Sequence, residues 1–259
     1  MISVLFVREG RAFSRVTPQG AKVLEYAARA LAEIESLSAV AADLNQDSRG
    51  NLSIATTHTQ ARYVLPPVVR AFRERYPEVE LHLHQGTSEQ IAEMVGKDRV
   101  DFAIATGSEE LFPHLVRLPV YRWHRTVVVP KAHPLTTAGR LTLKKLAEHP
   151  IITYVFSFSG RSSLQSLFDK AGLTPDVALT ARDSDVIKTY VRLGLGVGII
   201  ASVAVESGAD ADLEVLDARH LFDGHLTWIG FRRGALLRAY MYDFVELLAP
   251  HLPRRLVRE

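Results

Sequence analysis

Apolar and polar positions divide the 259-residue chain into two zones. In the first, apolar residues recur at Leu24, Ala27, Leu31, Ile34, Leu37, Ala41 and Leu44, in steps of three and four. That spacing predicts one narrow stripe along a long helix. Thr17 ahead of Pro18 supplies its start, a capping hydroxyl before a proline in the first turn, and the polar run NQDSRGN ends it. So narrow a stripe on so long a helix fits a seam between two helices, hence a dimer; packing on the chain's own domain is the other reading. Upstream, LFVREGRAF has apolar ends around Glu-Gly and predicts a small hairpin, too short to fold alone.

From Asn51 onward, strand and helix patterns alternate. Strands are predicted at Leu52–Ala55, Val79–His84, Asp101–Ala105, RTVVVP, IITYV, VALTA, VGIIA and LTWIGF. Between them, helical spacing covers 66–76, 88–96, 143–148, 162–171, 185–193 and 237–248. Alternating strands and helices imply an α/β fold with largely parallel sheets. The strand-rich middle, 116–130, reads as a crossing between two lobes.

Composition changes this picture little. Apolar residues at 47% and charged residues at 23% are those of an ordinary globular protein. The chain has no cysteine, which excludes a disulfide framework, thiolate metal sites and a cysteine nucleophile. The start lacks the order of a signal peptide, and no stretch reaches the roughly 18 apolar residues of a membrane helix, so a cytoplasmic protein is expected. A net charge of +2 does not argue for nucleic acid, and the arginines gathered at both ends read as solvated termini.

In open α/β sheets, ligands sit beyond the carboxyl ends of strands, where helices begin. Three polar clusters fall there: Thr56, Thr57, Thr59 and Gln60 after the first strand; Thr106 after DFAIA; and Ser157, Ser159, Gly160 and Ser162 after IITYV. Hydroxyls and an amide beside unpaired helix N–H groups make an anion site of donors only, suited to sulfate, whereas hydrogen phosphate also needs an acceptor. Helix capping is the competing fate of each hydroxyl. Enzyme readings are weaker. Gly194, Gly196 and Gly198 follow a helix and precede a strand, the reverse of a dinucleotide fingerprint. His82 and His84 share a strand face without a third metal ligand nearby, and His58 has no evident nucleophile to serve as a base for. No G-x-S-x-G, Walker or H-E-x-x-H motif occurs. No catalytic or metal-binding residue and no cofactor is expected.

The stretch IATTHTQARYVLPPVVRAFRERYPEVELHLHQG resembles the start of the effector domain in LysR-type transcriptional regulators of the CysB/Cbl subfamily. So do DFAIAT, SGRSSLQSLFDKAGLTP, DSDVIKTYVRLGLGVGIIA and GFRRGALLRAYMYDFVELLAPHL, so the likeness runs over nearly the whole chain. The resemblance implies two Rossmann-like lobes of periplasmic-binding-protein type after a long linker helix. It places a remnant of a winged helix-turn-helix at 1–17, the linker at 18–47 and the effector domain at 51–259. Lobe I then takes about 51–120 and 225–259, and lobe II about 121–224. The implied effectors are sulfate, thiosulfate, N-acetylserine or O-acetylserine, in control of sulfur assimilation and cysteine biosynthesis. The subfamily's sulfate positions match Thr57, Thr59, Gln60 and Thr106, with Trp123 reached through water. A fifth, a threonine in F-T-G-R-S, is Ser159 here, which keeps the hydroxyl and loses the methyl. Implied partners are a second copy through the linker helix and effector domain, with a tetramer as the further step. Promoter DNA and RNA polymerase follow only with a DNA-binding domain, whose recognition helix is missing before the wing-like start at Met1. A free-standing cytosolic small-anion or amino-acid-binding protein of the same fold is the alternative.

Overall fold

The computed structural model describes residues 5–9, 12–27, 30–31, 34, 49–107, 115–158, 164–252 and 254. The expected hairpin forms from β1 (Phe6–Glu9) and β2 (Ala12–Val16), paired antiparallel. Thr17 then caps the helix α1, helical at 18–27, 30–31 and 34, by accepting the Gly20 N–H at 2.9 Å on its side chain. Leu24, Leu31 and Ile34 are 44%, 61% and 58% exposed, so this part of the stripe is not covered by the chain's own domain. Leu37, Ala41 and Leu44 lie outside the described residues.

Two five-stranded sheets follow. The first has the order β4-β3-β5-β12-β6, from β3 (Gly50–Thr56), β4 (Val79–Gln85), β5 (Phe102–Thr106), β6 (Leu115–Trp123) and β12 (His225–Arg232). The helices α2 (Leu65–Arg75) and α7 (Ala239–Leu248) cover one face, with Phe72 edge-on to Phe244 at 5.5 Å. Across the other face lies α3 (Ser88–Gly96), packing Ile91 and Val95 on Ala55, Ala103 and Ala105.

The second sheet has the order β11-β7-β10-β8-β9, from β7 (Arg125–Pro130), β8 (Ile151–Tyr154), β9 (Val177–Ala181), β10 (Val197–Ala201) and β11 (Leu213–Leu216). Here α4 (Leu143–Ala147) and α5 (Leu164–Lys170) supply Leu146 and Phe168 to one core, and α6 (Ser184–Arg192) supplies Ile187 and Val191 to the other.

The sheets are mixed rather than largely parallel. β3 runs parallel to β4 and β5, and β8 to β9 and β10, but β12 is antiparallel to both its neighbours, and β7 to β10 and β11. The reason is the crossing. β6 leaves the first lobe at the end where β3 and β5 finish, so the returning β12 enters there and must run the opposite way. Sequence patterning also passed over β11, an edge strand of four residues.

The glycine-rich turn is structural. Gly194 takes φ +75° as α6 turns back, and a Cβ on Gly198 would stand 2.6 Å from Val128 and 2.8 Å from Val191. Only a bare backbone lets α6 lie this close to β10. His82 and His84 are exposed on the edge strand β4. Among the described residues no helix is long and apolar enough to cross a membrane.

Candidate functional site

Strand ends and the register of the returning strand build the site. β3 ends at Thr56, whose hydroxyl donates inward to Ile104 O at 3.0 Å. The chain then passes Thr57 directly into helix, through a π-helical turn at Gln60–Val64 that runs on into α2. Thr59 precedes that turn in a helical conformation and makes no side-chain cap bond. Capping therefore does not explain it, and it lies near buried Tyr154 of the other lobe.

The register places Thr227 of β12 opposite Thr106 of β5, and His225 opposite Trp123 of β6. A continuous chain of hydrogen bonds results. The Tyr121 hydroxyl donates to Gln60 Oε1, and Gln60 Nε2 donates to Thr227 Oγ1 at 3.4 Å. Thr227 Oγ1 lies 3.1 Å from Thr106 Oγ1, which also accepts the Trp123 indole N–H at 3.2 Å. Gln60 is 2% exposed, and Thr227 is fully buried. The direction of these bonds carries chemical information. Gln60 Oε1 accepts from Tyr121, and Thr227 accepts the Gln60 amide, which leaves the Thr227 proton available to Thr106, although either oxygen of that pair can be the donor. With that proton on Thr227, Thr106 accepts twice and keeps its own O–H to offer. In that arrangement the network presents a donor at Thr106.

Of the expected residues, the structure joins Gln60, Thr106 and Trp123 in one bonded network, and Thr57 and Thr59 stand at the same strand end. Ser159 lies outside the described residues. Ser157, from the same cluster, is buried and accepts Arg125 Nη1 at 2.7 Å. Sequence reasoning missed Tyr121, Thr227, His225, Tyr154 and Arg125. Strand order decides the first three, and it leaves no local mark. The one readable signal was the basic run His124-Arg125 inside a strand pattern at the crossing.

Charge is scarce here. The His225 ring stacks on Trp123 with centroids 4.5 Å apart. Burial, and next the Arg125 charge, push its pKa down to about 4 against an opposing Asp223. An unfolded imidazole titrates near 6.5, so between these values the unfolded chain binds more protons, and stability is lost as pH falls from 6.5 to about 4. Urea unfolding midpoints at about pH 7 and pH 5 should therefore drop further in the native chain than in His225→Gln, and an equal drop in both would contradict this assignment.

The lobes touch beside the site. The Tyr63 hydroxyl donates to Asp185 at 2.6 Å, and Arg62 pairs with Glu206 at 3.0 Å. His58, Asp183 and Asp185 bring their ligand-type atoms within 4.8 Å of one another, and His58 Nδ1 is buried without a partner. Asp185 already faces Tyr63, Arg62 and Lys188, so a metal ion would have to displace existing donors. These contacts fit a polar clasp between lobes better than a metal centre.

Comparison with known proteins agrees with this architecture. The family model described as the LysR substrate binding domain matches residues 45–253. The chain is 46% identical over 248 residues to the HTH-type transcriptional regulator SsuR of Burkholderia cenocepacia, covering 96% of this chain and 80% of that protein. It is 45% identical to CysB of Haemophilus influenzae, covering 98% and 79%, and 44% identical to Cbl of Escherichia coli, covering 94% and 77%. Among solved structures, the cofactor-binding domain of the Cbl transcriptional regulator aligns with a TM-score of 0.76 at 46% identity, over 82% of this chain and 93% of that one. The effector domain of QuiR in complex with shikimate shares the fold alone, with a TM-score of 0.64 at 18% identity. These relatives are transcriptional regulators, which sets the enzyme readings aside. The chain belongs to the LysR family of transcriptional regulators, of which it carries the substrate-binding domain.

Proposed function

We propose that this domain senses a small oxyanion, sulfate, thiosulfate or an acetylated serine, between its two lobes for a regulator of sulfur assimilation and cysteine biosynthesis. The observation that carries this reading is the bonded network of Tyr121, Gln60, Thr227 and Trp123 around Thr106, in which Thr106 can accept twice and offer its own O–H. Thr57, at the same strand end, adds a further hydroxyl. Neutral donors bond best to unprotonated oxygens, those of sulfate or of a carboxylate, and less well to the protonated oxygen of hydrogen phosphate. The resemblance to the CysB/Cbl subfamily supports the same ligand class.

Binding works here as a population shift. A ligand that touches both lobes favours one closure angle, and the clasp of Tyr63 on Asp185 and Arg62 on Glu206 is remade or released with it. The exposed stripe Leu24, Leu31 and Ile34 supports a homodimer through α1, which would carry that difference onward. Thr57→Ala and Thr59→Ala should each weaken sulfate binding roughly tenfold, the loss of one hydrogen bond to a charged ligand, with the fold unchanged. Titration calorimetry reads this directly, and native affinity in both variants would refute the site.

A further inference from the structure

Arg125 is the first residue of β7, two residues beyond Trp123 where the chain leaves the first lobe. It is 6% exposed. Its one hydrogen-bond partner among the described residues is neutral, the Ser157 hydroxyl at 2.7 Å, and no carboxylate among them pairs with it. Ser157 is itself held in direction. Thr153 donates to Ile199 O at 2.8 Å, so its oxygen, 3.3 Å away, is free to accept the Ser157 proton while Ser157 accepts from Arg125. The guanidinium is therefore aimed by an oriented hydroxyl and has no counter-ion among the described residues.

Its other neighbours are neutral as well. His225 is kept uncharged by burial and by Arg125 itself, and buried Tyr154 holds its proton. Burial lowers the Arg125 pKa to about 10, which still leaves it charged at neutral pH. A buried cation without a counter-ion is costly unless an anion arrives to complete it. Among the described residues the one buried side-chain nitrogen or oxygen without a partner is His58 Nδ1. The remaining guanidinium nitrogens are therefore not sealed off without a partner, although the residue as a whole is buried. Two neighbours tie Arg125 to the donor network: buried Tyr154, near Thr59, and His225, stacked on Trp123.

We propose that Arg125 is the charged half of the ligand site, contributed by the second lobe, and that it selects small molecules whose anionic group it binds directly. This rests on the oxyanion reading above and adds to it a charge requirement. Neutral hydroxyls on one lobe and a guanidinium on the other give the ligand a reason to draw the lobes together. A planar fork of N–H donors suits a carboxylate or a sulfur oxyanion.

Calorimetric titration of the native chain, Arg125→Gln and Thr57→Ala with N-acetylserine and its neutral amide, N-acetylserinamide, tests this. The native chain should prefer the acid, and Arg125→Gln should lose roughly 10- to 100-fold in affinity for the acid while hardly changing for the amide. Native affinity for the acid in Arg125→Gln, with a loss in Thr57→Ala, overturns the role of Arg125 and leaves the oxyanion reading standing. Equal loss for acid and amide in Arg125→Gln also overturns it, because a merely structural residue would act on both. Should that variant fail to fold, Arg125→Lys, which keeps the charge, should still prefer the acid, and equal affinity for acid and amide in it would overturn the proposal. No binding of either probe to the native chain defeats both readings for acetylserine, and titration with sulfate then separates them: sulfate bound by the native chain and equally well by Arg125→Gln overturns the proposal alone.

Discussion

Replacing Lys188 with alanine is expected to lower the unfolding free energy by about 3–5 kcal/mol, the usual cost of removing one partner from a buried ion pair. Lys188 and Asp210 are each 3% exposed in their side chains and lie 2.8 Å apart. Lys188 Nζ also donates to Ala204 O at 3.0 Å and sits over the Tyr63 ring, 5.1 Å from its centroid. Asp210 remains ionised although burial works against it, because the Glu206 backbone N–H, then Lys188 and Arg192, outweigh that penalty. Without Lys188, Arg192 still holds Asp210 at 2.8 Å, which sets the loss toward the lower end. Lys188→Met should cost less than Lys188→Ala, since it keeps the aliphatic stem packed. Urea denaturation checks both, and a loss under about 1 kcal/mol, the scale of a surface pair, would mean that the ion pair is not buried in solution.

The second large effect concerns the ligand. Thr106→Val keeps the shape of the side chain and removes its oxygen, which accepts the Trp123 N–H and shares a proton with Thr227. Sulfate affinity should fall about 10- to 100-fold, from the loss of a hydrogen bond to a charged group and the disorganised network behind it. The orphaned indole N–H should also cost about 1–3 kcal/mol in stability. Thr56→Val is the matched control. Its hydroxyl is fully buried at the same end of the sheet but donates to Ile104 O, away from the site. It should leave sulfate affinity unchanged, and equal losses in both variants would show that binding responds to sheet stability alone.

The strands and helices of the effector domain are largely local in origin, and they were legible for that reason. RTVVVP, VALTA and VGIIA form β7, β9 and β10 over the expected residues, and α3 spans 88–96 because Thr87 and Gln90 close a capping box there. Strand direction was not legible. A parallel and an antiparallel neighbour carry the same alternation, so the mixed sheets emerge only once the chain's path between lobes is known. The site divides in the same way. Thr57, Thr59, Gln60 and Thr106 announce themselves as polar residues just past apolar strands. Thr227 and Tyr121 lie within strands and reach the site only through the register of β12 against β5 and β6. Arg125 was hidden by its company, since a basic residue opening an apolar strand reads as solvent-facing until the structure buries it.

Thermal unfolding of the native chain with sulfate, thiosulfate, hydrogen phosphate, N-acetylserine and O-acetylserine addresses the central claim, a donor-lined oxyanion site between the lobes. A ligand at about a hundred times its dissociation constant stabilises the folded state by roughly 2.7 kcal/mol, well above detection. Stabilisation is expected from sulfate or the acetylserines, and less from hydrogen phosphate, whose protonated oxygen is a poorer partner for the donors. Stabilisation by phosphate equal to that by sulfate, or none from any of the five, would contradict the account.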